Sequence, residues 1–129
     1  MTEETDWDEL RALAQQVLQR GTPLELTDDT RALLMRSAGE VAIPQEDAAD
    51  ALRSVSTATT LLAEIRRRIR DGSNRLSDAL HRYYQKRDAG DFAGARKQME
   101  DILAVEVVPL YREEAEIVLK KLAKLERSR

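Results

Sequence analysis

The chain contains no cysteine, so disulfides, zinc fingers, iron–sulfur ligation and thiol catalysis are excluded, and nothing in it requires an oxidising compartment. Five glycines and three prolines in 129 residues are too few turn formers for the many short strands of a sandwich or barrel. Aromatics are limited to Trp7, Tyr83, Tyr84, Phe92 and Tyr111, and none falls within the arginine stretch 66–75 as a base-stacking platform would require. No apolar run approaches membrane-spanning length. The opening "MTEETDWDEL" is acidic and polar, whereas a signal peptide starts basic and turns apolar. A cytoplasmic protein without membrane association is expected.

What is present favours helices: 42% apolar and 35% charged residues, rich in Ala, Leu, Arg and Glu. The length sits at the mode for one domain, and a single helical domain over 1–129 is expected. Charge is unevenly spread. Residues 1–60 carry twelve acids and five bases, residues 61–129 twelve acids and sixteen bases, so the two halves attract each other. Such asymmetry serves either an external partner or packing of acidic helices on a basic one, and the second is the simpler reading.

Thr5 and Asp8 have the spacing of a capping box. Trp7, Leu10, Ala14 and Val17 then recur at helical spacing until Gly21 and Pro23 stop the first helix near Arg20. Thr27, Asp28 and Asp29 start a second, with Leu34, Ala38 and Val41 on its apolar face. Its interruption is expected at Ile43-Pro44, with Pro44 in the first turn of a short third helix that turns Ala48, Ala51 and Leu52 inward.

From Ala58 the apolar positions Ala58, Leu62, Ile65, Ile69, Gly72, Leu76, Ala79 and Tyr83 fall at alternating steps of four and three. The phase survives the turn-like "DGSN" segment, which a loop between antiparallel helices has no reason to preserve. One long central helix over about 57–88, straight or bent at Gly72, is favoured, although residues 71–74 also have the composition of a loop. Gly90 and Asp91 end that helix and cap the next, whose inward face is Phe92, Ala95, Met99 and Ile102. "VEVVPL" breaks the chain at Pro109. A last helix carries the seam Tyr111, Ala115, Val118, Leu122 and Leu125. The fold class expected is all-α, a bundle of five or six helices.

Three features invite a functional reading. In "LLAEIRRRIRDGSNRL" the isoleucines belong to the seam, so Arg66, Arg67, Arg68 and Arg70 radiate over the remaining surface, with Arg75 beyond them. Arg66, Arg67, Arg70 and Arg75 are the candidates for an anionic partner. The simpler reading is a solvated or internally paired face, with Glu64 and Arg68 as an i,i+4 pair. "LMRSAGEVAIPQEDAADALRS" has the rhythm of a helix-turn-helix, but its would-be reading helix carries Glu46, Asp47 and Asp50, which phosphates repel. "RDAGDFAGARKQMEDIL" resembles a tetratricopeptide turn at Gly90, Asp91, Phe92 and Ala95; Tyr83, Ile102 and Pro109 depart from that pattern, which leaves a helical hairpin. His81 is the only histidine and follows Asp78 in a single D-x-x-H, where bundle metal sites use Glu-x-x-His twice. No metal, cofactor or catalytic residue is expected, and the chain is expected not to be an enzyme.

The stretches "DELRALAQQVLQRGTPLELTDDTRALLMRSA", "TTLLAEIRRRIRDGSNRL" and "LHRYYQKRDAGDFAGARKQMEDILAVEVVPLYREEAE" together resemble the DUSAM domain, a myxobacterial paralogous family. The resemblance covers most of the chain, and "RDAGD…AR…M…LAVEVVPLYRE" is its most distinctive part. It implies a bacterial protein of a family without an established role, and it transfers no catalytic or binding residue. The function expected is a non-enzymatic helical module that binds a protein partner or itself, the latter as a homodimer through the C-terminal helix. A regulator binding nucleic acid or another polyanion through the arginine face is a less favoured alternative, and an immunity-like protein that blocks a cognate toxin is a third.

Overall fold

The structure, a computed structural model, describes residues 6–128. Thr5 of the expected capping box lies outside the described residues. The described residues form six α-helices and no strand: α1 (Asp8–Ala14), α2 (Asp28–Glu40), α3 (Gln45–Ala51), α4 (Val55–Asp88), α5 (Phe92–Val105) and α6 (Pro109–Arg127). It divides into two compact units, one ending at Ile69 and the other beginning at Arg70. The all-α class and the long central helix are thus as the sequence predicts.

In the first unit α1 packs on α2 and α2 on α3. Asp6 accepts the Asp8 amide at 2.9 Å, which satisfies one of the free donors at the start of α1. The helix is then carried on by a π-helical turn over Gln15–Gln19, which the sequence does not announce, before Gly21 turns the chain at φ 74°. Thr27 caps α2 by accepting the Thr30 amide, as expected. Leu34, Ala38 and Val41 are buried.

The end of α2 differs from the sequence reading. The Ile43 amide reaches back to the Ala38 carbonyl at 2.9 Å and the Ala42 amide to Gly39 at 3.2 Å, around an Ala42 held at φ 66°. This pair of bonds is the Schellman arrangement, and it closes the helix before proline can act. Alanine in that left-handed conformation is rare, so composition gives no sign of it. Pro44 stands at the N-cap position of α3 and not in its first turn, so the helix starts one residue later than expected. Ala48 and Leu52 are buried, whereas Ala51 is only half-buried.

Ser37, on α2, is 1% exposed, and its hydroxyl has no hydrogen-bond partner among the described residues. An unpaired buried hydroxyl costs about 1–3 kcal/mol, and alanine is the better helix former. Ser37→Ala is therefore expected to raise the unfolding free energy by about 1 kcal/mol, read as a higher urea midpoint at unchanged slope.

Helix α4 begins two residues before the expected position, because the Ser54 hydroxyl accepts the Thr57 amide at 3.2 Å and caps it. It runs through residues 71–74 without a break. All eight seam positions from Ala58 to Tyr83 are buried, Gly72 among them. The first half of α4 belongs to the first unit and the second half to the second.

In the second unit Gly90, at φ 81°, turns the chain, and Asp91 caps α5 by accepting the Gly94 amide at 2.8 Å. Ala95, Met99 and Ile102 face inward, with Phe92 half-buried. Pro109 occupies the first turn of α6, where its missing N–H costs nothing. Arg96 pairs with Glu126, and Arg112 Nη1 donates to the Leu103 carbonyl at 2.7 Å. These cross-links run in opposite directions along the two helices, so α5 and α6 are antiparallel. Tyr111, Ala115 and Leu122 are buried as the seam predicts, Val118 is half-buried, and Leu125 at its end is 43% exposed.

Candidate functional site

Four arginines are the sequence's candidates for an anionic surface, and all four lie on α4. Arg66 and Arg67 belong to the first unit, Arg70 and Arg75 to the second. Arg67 lies along Glu64, with Nη2 at 2.7 Å and Nε at 3.0 Å from its carboxylate. Arg68 takes the same carboxylate at 2.7 Å and donates Nη1 to the Val41 carbonyl at 2.9 Å, so it ties α4 to the end of α2. The hydrogen bond from Arg67 holds the Glu64 carboxyl below its ordinary range, against the opposing effect of burial and with further help from Arg68. Arg70 reaches only its neighbour Asp71, at 3.4 Å. Arg66 is half-buried.

Arg75 is committed most firmly. Its Nη1 donates at 2.8 Å to Oε1 of Glu106, whose side chain is 1% exposed. The other carboxylate oxygen accepts the Val107 amide at 3.1 Å and the Val108 amide at 3.0 Å. Arg112 donates to the Glu106 carbonyl at 2.9 Å. The carboxylate therefore binds free amides at the start of α6, where negative charge also suits the helix dipole. Gly72 belongs to the same cluster. A methyl group at its Cα would stand 2.6 Å from Cδ2 of Tyr111 and 3.0 Å from Oε1 of Glu106. The distinctive run "LAVEVVPLY" is thus a joint between α5, α6 and the second half of α4. Its acid, its tyrosine and the facing Gly72 and Arg75 are occupied with one another. A lone carboxylate in an apolar run was the available signal, because such a group must find a partner; the partner, 31 positions away, was not legible.

The guanidinium groups of Arg67, Arg68 and Arg75 and the carboxylates of Glu64 and Glu106 are thus engaged inside the chain. Helix α6 differs. Besides its buried seam it carries a second line, Leu110, Glu114, Ile117, Lys121 and Leu125, at steps of four, three, four and four, which keeps these residues on one side of a helix. Ile117 and Leu125 are each 43% exposed, and Leu110 is half-buried. Neither Glu114 nor Lys121 is in an ion pair among the described residues. Burial, and then the neighbouring Glu113, push the Glu114 carboxyl above its ordinary range. This line was missed in the sequence because the stronger seam beside it accounts for most of the helix's apolar residues. The signal was Ile117, an apolar residue off the seam.

Two other features are simpler. An open groove of about 420 Å³ in the first unit, lined by Leu13, Val17, Pro23 and Leu24 with several threonines, has Glu25 as its only charged lining residue. His81 is exposed, and nearby Tyr84 packs edge-on against Tyr83 with its ring under Arg87 at 4.8 Å. Among the described residues no three or more acids or histidines are grouped to hold a metal ion, and no helix is long and apolar enough to cross a membrane.

A family model described as "Protein of unknown function (DUF2379)" matches residues 5–122. No curated protein and no solved structure matches the chain.

Proposed function

The chain belongs to the DUSAM domain family, whose function is unknown, and from that premise we propose that it is a non-catalytic helical module that binds a protein through the outer face of α6. The observation that carries this reading is the exposed pair Ile117 and Leu125 in line with Leu110, on a helix whose opposite side is already packed. Large apolar side chains aligned on one helix face, with charges between them, are the usual anchors of helix-to-helix recognition. A catalytic reading is less well supported, because the two carboxylates with the most polar contacts, Glu64 and Glu106, hold arginines and amides rather than facing a cleft. A polyanion surface is less well supported for the same reason, since Arg67 and Arg75 serve those carboxylates.

The test is binding by the native chain and by a variant carrying Ile117→Glu and Leu125→Glu, both checked for native helicity. Proteins retained by the native chain are purified and their affinities for both forms measured. The expected result is a partner that loses about tenfold or more in affinity, as for truncated anchors at an interface centre. Partners that bind both forms equally would overturn the reading.

A further inference from the structure

We infer that the outer face of α6 pairs with the same face of a second copy of the chain, antiparallel, about a two-fold axis beside Ile117. This rests on the reading of α6 as the binding face and names its partner.

The inference comes from the order of residues along that face. A two-fold pairing is self-complementary, so each contact is made twice. With the axis between residues 117 and 118, positions equally far on either side of it face each other. Leu110 then meets Leu125 of the second copy, Glu114 meets Lys121, and Ile117 lies against its own counterpart. Glu113 and Lys124 share one flank of this face; they stand two residues from direct opposition, about 3 Å along the helix, which their long side chains can span to add a second pair of opposite charges. Parallel pairing in register would instead set Glu114 on Glu114 and Lys121 on Lys121, which repel. The sequence thus favours one orientation through both its apolar ends and its charges. An ammonium group beside Glu114 also supplies the cation that this carboxylate does not have among the described residues of its own chain.

The face is small. A helix of 19 residues is about 28 Å long, and one side of it falls short of the roughly 800 Å² per partner that stable interfaces bury. A reversible dimer follows, with a dissociation constant on the order of 10⁻⁵ to 10⁻⁴ M, at the weak end of specific association.

Sedimentation equilibrium of the full chain from about 10 μM to about 1 mM tests this. The mass is expected to rise with concentration from 14.6 kDa towards twice that value. Glu114→Lys and Lys121→Glu are each expected to weaken the dimer about tenfold or more, and the two together to restore it to within about threefold. Orientation is read separately, because the chain has no cysteine of its own. Under mild oxidation Ile117→Cys should cross-link to itself and Leu125→Cys should not, since an antiparallel pair holds the two copies of residue 125 about 20 Å apart. A mass that stays monomeric, a double reversal that fails to restore pairing, or self-cross-linking of Leu125→Cys would each overturn the inference. The underlying reading fails differently. A monomeric chain that still loses a different protein on Ile117→Glu and Leu125→Glu keeps the binding face and removes self-pairing, whereas a dimer indifferent to those substitutions removes both.

Discussion

Replacing Glu106 by alanine is expected to lower the unfolding free energy by roughly 3–5 kcal/mol, among the largest effects available to a single substitution in this chain. The carboxylate is buried and fully used, with one oxygen on Arg75 and the other on the amides of Val107 and Val108. Alanine leaves three donors without an acceptor, and the Val108 amide is itself buried. Each buried donor left unpaired costs about 1–3 kcal/mol, which outweighs the modest gain from no longer desolvating a charge. In thermal unfolding this is a drop of about 10–20 °C. Glu106→Gln keeps the shape and one acceptor and should lose less than half as much. Equal losses from the two substitutions would mean that the side chain matters for its volume and that the hydrogen bonds contribute little.

Gly72→Val is expected to cost about 3 kcal/mol, although valine is a better helix former than glycine and position 72 lies within a helix. Propensity favours the substitution by a few tenths of a kcal/mol. Packing opposes it by more, because even a Cβ would lie 2.6 and 2.8 Å from Tyr111 ring carbons, and overpacking a closed site costs about 1–3 kcal/mol or more. The check is Gly72→Val in the background of Tyr111→Ala, which removes the obstructing ring. There the cost of Gly72→Val should fall by at least about 1 kcal/mol, well beyond the additivity error of independent sites. Costs that simply add would place the origin of the effect away from Tyr111.

These two sites show what could be read from the sequence and what could not. The α4 seam was legible because a four-three spacing of apolar residues has one structural solution, and it correctly placed Gly72 inside the helix. The reason for glycine there was not legible, since it depends on Tyr111, which lies far along the chain. The ends of elements were read well where a side chain does the capping, as at Thr27 and Asp91. They were read less well where backbone geometry does it, as at Ala42, or where a π-helical turn extends a helix without requiring any residue type. Of the candidate surface, the four arginines were visible as charges, but charge counts do not report partners. Arg75 serves Glu106, and Arg67 serves Glu64. Ile117 was hidden by the stronger stripe next to it.

The architecture of the second unit places the chain's most distinctive residues in a joint, while Ile117 and Leu125 on the far side of α6 stay exposed. That account turns on Arg75 as a structural partner of Glu106 and not a hand held out to an external anion. A double-mutant cycle in denaturant unfolding, using Arg75→Ala, Glu106→Gln and the pair, measures this directly. The account requires a coupling of about 1–3 kcal/mol, as for a charge pair with one buried member. A coupling within about 0.3 kcal/mol of zero, at the level expected of independent sites, would contradict it and return Arg75 to the solvent.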